Sequence, residues 1–191
     1  VDPILGPEMR STGEVLGLEE NFPLAFYKSQ VGSGTAKAAG SELPHAPAAW
    51  ENKKVLISLS NKESQKDQVL MIGKTLKDLG FTLVGTQGTA DFYNANGIKC
   101  EVVNKIGGGR PDVVDMIMNK EVCLVINTPK AKRNYAEDRK TIRKMCLKYK
   151  VSYITTLAGA VAAVKGIEAV KNGNGGEGGV KSLQEYHAMI K

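Results

Sequence analysis

Histidine is almost missing from this chain. His45 and His187 are the only two in 191 residues, and neither follows an apolar run that reads as a strand. The commonest general base at neutral pH is therefore absent from the places where a sheet would present it. Cysteine is nearly as scarce. Cys100, Cys123 and Cys146 lie far apart, odd in number and without C-x-x-C spacing. That excludes a disulfide frame and a zinc site, and fits a reducing cytoplasm. Aromatic residues make up 6% and are not interleaved with the cations, which argues against nucleic acid as a partner. No apolar run reaches the roughly 18 residues that a membrane helix needs. There is no metal-ligand spacing, no G-x-S-x-G elbow and no Walker A loop. The start, Val1-Asp2-Pro3, has no Met, no basic stretch and no apolar stretch. It is no signal peptide, and it reads as a cut through a longer protein.

What remains is an ordinary globular balance, 42% apolar and 24% charged. At roughly 100–200 residues per domain, the length suits one domain plus a fragment. The net charge of +6 is unevenly placed. Residues 1–50 hold three basic groups (Arg10, Lys28, Lys37) and six acidic ones, a net of −3, whereas residues 51–191 hold 23 basic and 14 acidic, a net of +9. A basic second part suggests an anionic partner.

Residues 1–40 offer one helix-like stretch, 24–31. Residues 38–50, with Pro44 and Pro47, read as a linker, since proline removes backbone donors. The domain boundary is expected near residue 50. Beyond it, apolar strand-like runs at 54–60, 81–84, 98–103, 122–126 and 151–154 alternate with helical periodicity. Ser60 and Glu63 have capping-box spacing, and Val69, Ile72, Leu76 and Leu79 recur at helical spacing before Gly80 stops the helix. Further helices are expected at 88–96, 111–119 with Pro111 at the first helical position, 135–150 and 157–170, and a last one at 182–191 after a Gly-rich loop at 172–179. In the helix expected at 135–150, Ile142, Met145, Cys146 and Tyr149 share a face. The alternation implies an α/β three-layer sandwich of Rossmann-like type, with a five-stranded, mostly parallel sheet.

In such a sheet ligands bind beyond the carboxyl ends of the strands. After the second strand come Thr86, Gln87, Gly88 and Thr89. This is either a phosphate loop of hydroxyls and helix N–H groups or a tight turn that uses Gly for geometry and Thr as a cap. The other strands end in Ser60, Asn61, Lys62 and Lys66, in Asn104, Lys105 and Arg110, in Asn127 and Thr128 before Lys130, Lys132 and Arg133, and in Thr155 and Thr156. Independent surface charges need not gather at strand ends, so a phosphorylated small ligand is the natural counterpart. Asp112 could serve as a base, but an Asp opening a helix also suits the helix dipole. The cysteines read as small apolar core residues.

Residues 6–15, G-P-E-M-R-S-T-G-E-V, and A-F-Y-K-S-Q at 25–30 resemble the stretch that closes the second ATP-grasp half of the carbamoyl-phosphate synthase large subunit. The rest of the chain resembles that subunit's allosteric domain, of the methylglyoxal-synthase-like fold, through T-x-G-T at 86–89, V-N-K at 103–105, G-R-P at 109–111, I-N-T at 126–128 and T-T-L at 155–157. The resemblance implies three parts: residues 1–40 as an ATP-grasp tail stranded without its core and poorly packed, 41–50 as a linker, and 51–191 as the allosteric domain. It implies no catalysis, metal or cofactor in this fragment. The parent would make carbamoyl phosphate from bicarbonate, glutamine and ATP, with Mg or Mn, in the cytoplasm, for pyrimidine and arginine synthesis. Its partners would be the rest of the large subunit, a small glutaminase subunit and nucleotide monophosphates, UMP as inhibitor and IMP as activator, with association between copies left open. The family's effector positions fall on Lys66, Thr86, Thr89, Lys105, Asn127 and Thr128, with Gly88 adding a backbone donor. Thr155 matches an ornithine interface. The sequence departs from the family at Gln87, at Pro129, ahead of Lys66 and in the length of the loop 130–134. A methylglyoxal synthase acting on dihydroxyacetone phosphate is the alternative, but it needs a histidine in the site.

Overall fold

The computed structural model describes residues 16–32, 37–38, 41–42, 53–59, 64–128, 136–172 and 182–189. The chain opens with helix α1 (Phe22–Gly32), followed by two-residue strands β1 (Lys37–Ala38) and β2 (Ser41–Glu42), which pair antiparallel. That pairing falls where composition suggests only linker; Pro44 and Pro47 lie outside the described residues. Then strands and helices alternate: β3 (Lys54–Leu59), α2 (Lys66–Asp78), β4 (Thr82–Thr86), α3 (Gln87–Ala95), β5 (Cys100–Val103), α4 (Val113–Met118), β6 (Val122–Thr128), α5 (Ala136–Tyr149), β7 (Ser152–Ile154), α6 (Leu157–Lys171) and α7 (Leu183–Met189).

The large sheet runs β5-β4-β3-β6-β7. Every neighbouring pair is parallel, where the sequence implies a sheet only mostly so. The chain steps outward from β3 to β5, returns to the other side of β3, and steps outward again. Crossovers of one hand then put successive helices first on one face and then on the other. The core divides accordingly. Val55, Ile57 and Leu59 pack with Val69, Ile72 and Leu76 of α2, Tyr93 of α3, and Val164 and Ile167 of α6. Leu56, Val84 and Val125 pack with Ile117 of α4 and Cys146 of α5. Ile142, Met145 and Tyr149 join that second cluster, as their spacing predicts. Burial on both faces explains why the strands read as continuous apolar runs.

Two helix starts differ from expectation. Helix α2 begins at Lys66, and Gln65 ahead of it makes no side-chain cap. The Ser60 and Glu63 pair lies outside the described residues. Helix α4 begins at Val113 rather than at Pro111, because Asp112 is the better cap. Its carboxylate accepts from the N–H groups of Val114 (2.8 Å) and Asp115 (3.1 Å), and Asp115 accepts in return from the Asp112 N–H (2.9 Å). This reciprocal box satisfies donors that proline cannot.

Four helix ends share one device. After α2 the Phe81 N–H reaches Leu76 O, and after α3 the Ile98 N–H reaches Tyr93 O; the residue between is Gly80 or Gly97 at positive φ. After α4 and α5 the same bonds form, but Lys120 (φ 57) and Lys150 (φ 56) take the left-handed position.

The poor packing expected of residues 1–40 does not hold for residues 22–32. Helix α6 buries Leu157, Ala160, Ala162, Ala163, Val164, Gly166 and Ile167, more than a sheet-facing stripe requires. Helix α1 packs along α6, with Leu24 and Tyr27 buried. The fit depends on Gly166: a Cβ there would stand 2.7 Å from Pro23 O and 3.0 Å from Tyr27 Cβ.

Gly97 (φ 74) has nothing within 4 Å of where its Cβ would stand. Gly97→Ala therefore tests the backbone alone. Urea unfolding should show a loss of about 1 kcal/mol, the cost of a left-handed L-residue. An unchanged midpoint would mean that the α3 end relaxes to another turn.

Candidate functional site

Because the sheet is wholly parallel, all five strands end at one edge, and the strand order reverses between β3 and β6, the point at which sheets of this kind bind ligands. The register sets the level of each candidate. Thr86 pairs with Val103, and Ser58 pairs with Asn127. One residue past the pairs Ile57–Gly85 and Ile126–Ile154 come Thr86 and Thr155. Thr86, Ser58, Asn127 and Thr155 thus stand within a residue of one level on four adjacent strands. Strand alternation turns Thr86, Ser58 and Asn127 toward the face of α4 and α5, the face of Val84 and Val125. Thr128 pairs with Leu59 one step further on.

The 86–89 segment is a tight strand-to-helix turn, without the Thr cap expected of it. Thr86 occupies the N-cap position of α3 in extended conformation, yet its hydroxyl makes no capping bond. Half-buried, it remains available to a ligand. Gln87 donates to Asp91 on the surface (2.7 Å), and Gly88 is exposed. Thr89 is buried, and its Oγ1 accepts the Leu59 N–H (3.4 Å), which ties the end of β3 to α3. A hydroxyl that accepts keeps its proton to donate. Gly85 permits this closeness, since a Cβ there would stand 3.2 Å from Ile57 O and 3.3 Å from Thr89 Cβ.

Lys66, on the first turn of α2, and Lys105, just past β5, are both exposed. Lys105 opens a loop that Asn104 closes: Asn104 Nδ2 donates to Pro111 O (3.1 Å), and Asn104 O accepts the Val113 N–H (3.1 Å). Arg110 on that loop pairs with Asp115. Asp112, the one carboxylate considered as a base, accepts both α4 cap bonds through Oδ1. Asn127 is buried, and its Nδ2 donates to Tyr153 Oη (3.3 Å). Burial pushes the Tyr153 phenol above its ordinary value, against the opposing effects of the Asn127 hydrogen bond and of Arg143 and Arg139. Thr155 is exposed at the corner, and Thr156 caps α6 by accepting the Gly159 N–H (3.1 Å).

Sequence reasoning misses Ser58 and Tyr153. Each sits inside an apolar run, and only strand alternation counted to the strand's end would mark them. Ser60, Asn61, Lys62, Lys130, Lys132, Arg133 and His45 lie outside the described residues, and His187 is exposed on α7. Among the described residues no group of three or more His, Cys, Asp or Glu could hold a metal ion, and no helix is long and apolar enough to cross a membrane. The edge offers hydroxyls, amides and lysines around the reversal of strand order. Such groups are of the kind that can bond an anion.

A family profile described as "MGS-like domain" matches residues 68–155. The "Carbamoyl phosphate synthase large chain" of Archaeoglobus fulgidus is 46% identical over 187 residues, covering 98% of this chain and 16% of that protein. The "Carbamoyl phosphate synthase large chain, C-terminal section" of Methanopyrus kandleri is 43% identical over 171 residues, covering 90% and 29%. The large chain of Methanosarcina barkeri is 39% identical over 190 residues, covering 100% and 44%. The chain thus spans less than half the length of these relatives.

The three thiols are core groups. Burial pushes Cys100 up to about 12, Cys123 to about 11 and Cys146 to about 12, from an ordinary 9.0. The unfolded chain ionises them near that ordinary value, so above it the unfolded state holds fewer protons than the folded one. Stability should be intact below about pH 9 and fall as pH rises toward about 12. Urea midpoints measured along this range check it; a flat profile would place the thiols in water.

Proposed function

Since this chain belongs to the carbamoyl phosphate synthase large chain family, to whose C-terminal MGS-like region it corresponds, we propose that it is a regulatory module that binds nucleotide monophosphates. One observation carries the proposal. Thr86, Asn127, Thr128, Lys66 and Lys105, from four different strand ends, gather at one edge of the sheet, and the Thr86 hydroxyl is not spent on its own helix. Lys66 and Lys105 supply charge-assisted bonds to a phosphate, and the N-terminus of α3, with Gly88 and Thr89, supplies backbone N–H groups and a hydroxyl. Asn127 and Thr128, across the reversal of strand order, hold the ribose side. Residues 1–40 are read as the end of an ATP-grasp half, 41–50 as the connection and 51–191 as the effector domain. The parent enzyme would make carbamoyl phosphate from bicarbonate, glutamine and ATP with Mg or Mn, in the cytoplasm and together with a glutaminase subunit. UMP would inhibit and IMP activate it. The exposed Thr155 suits an ornithine interface with the upstream half.

Nucleotides can act here only by differential affinity for two arrangements of the enzyme, with coupling of typically 1–3 kcal/mol. The methylglyoxal synthase alternative would need a histidine at this edge, and the one histidine among the described residues, His187, is exposed on α7.

Calorimetric titration with UMP and with IMP tests the proposal. At least one should bind. Lys66→Ala and Lys105→Ala should each weaken it on the order of tenfold, and Thr86→Val by less, because a bond to a charged partner exceeds a neutral one. If neither nucleotide binds, the proposal fails.

A further inference from the structure

Helix α6 joins two places that are far apart in the chain. Its first turn starts directly at the strand-end edge, capped by Thr156. Thr156 Oγ1 accepts the Gly159 N–H (3.1 Å) and Thr156 O accepts the Ala160 N–H (3.0 Å), directly after Thr155. Gly159 lies so close to this corner that a Cβ there would stand 2.9 Å from Thr156 Oγ1 and 3.3 Å from Ile154 Cγ2. Further along the helix, roughly 10 Å down the axis from Gly159, Gly166 brings the α6 backbone against that of α1. Backbone meets backbone there, which leaves little to absorb a displacement.

The far side of α1 is held as closely. Gly17 lies against the Ala25 carbonyl, and Asn21 Oδ1 caps the helix through the Leu24 N–H (3.0 Å). Leu18 O accepts from both Lys28 Nζ (3.2 Å) and Tyr186 Oη (2.9 Å). Lys28 also pairs with Glu19 (2.5 Å) and donates to Tyr186 Oη (3.2 Å). Tyr186 belongs to α7, so the two ends of the described chain meet at one polar knot. A movement of α6 cannot spread into slack around α1. Packed elements of this kind shift between discrete arrangements.

We infer that α6 is a rigid arm linking the strand-end site to an output face made of α1 and its α7 clasp, so that occupancy of the site and docking of α1 are coupled. The inference rests on the effector reading for the ligand, but the mechanical link stands on its own contacts. Coupling is reciprocal: what loosens α1 must be felt at the site, and the site's ligand must be felt at α1.

Hydrogen exchange on the chain tests both directions. In the absence of ligand, Gly166→Ala forces α1 away, and Lys28→Met dissolves the clasp without entering the core. Both should speed exchange across residues 22–32 and also at the Gly159 and Ala160 amides, several-fold in each place. Acceleration confined to residues 22–32 would overturn the inference. With UMP, or with IMP where only that binds, residues 22–32 of the wild type should change protection, and those of Gly166→Ala should not. A nucleotide that binds and leaves residues 22–32 unmoved would also overturn it. If neither nucleotide binds, the effector reading falls, while the ligand-free comparison still decides the link.

Discussion

A strand buried on both faces cannot carry charge along its length. Strand β3 is such a strand: Val55 and Ile57 face one helical layer and Leu56 the other, and both edges are taken by β4 and β6. Its only contact with solvent chemistry is at its ends. The polar groups of interest are therefore pushed to the carboxyl edge, and the parallel register lines them up. The sheet acts less as a container for the site than as a ruler that sets Thr86, Ser58 and Asn127 level with one another.

The same crowding gives several residues two tasks. In the proposed function Thr89 would offer a hydroxyl to a ligand, and that hydroxyl also holds the last N–H of β3 to α3. Asn127 would offer an amide, and the amide also holds Tyr153 of the edge strand. A group that is already bonded within the fold is oriented before a ligand arrives, which reduces the entropy lost on binding. Gly85 serves the same end by its lack of a side chain, letting Thr89 sit against β3 and β4.

The strands of the large sheet and the helices between them are legible in the sequence because period and burial are local signals. Strand ends can be nominated for chemistry because polar residues break an apolar run where the strand stops being covered. The features that escape a sequence reading depend on residues distant in the chain. Helix α1 docks on α6 from the opposite end of the sequence, and residues 22–32 alone do not say so. The partner of Thr89 is a backbone N–H 30 residues earlier. Pro111 looks like a helix start until Asp112 and Asp115 are seen to satisfy each other. Ser58 and Tyr153 are masked by the apolar residues on either side.

Helix α6 is apolar around most of its girth because it has two neighbours to satisfy, the sheet side and α1. This bears on how such a module could be moved between proteins by recombination. A break in the proline-bearing stretch before β3 looks natural, since it spares the whole sheet. It would strip α1 from Gly166 and leave that side of α6 facing water. The unit that can be inherited intact is therefore longer than the sheet and its own helices: it carries with it a helix that precedes its apparent boundary.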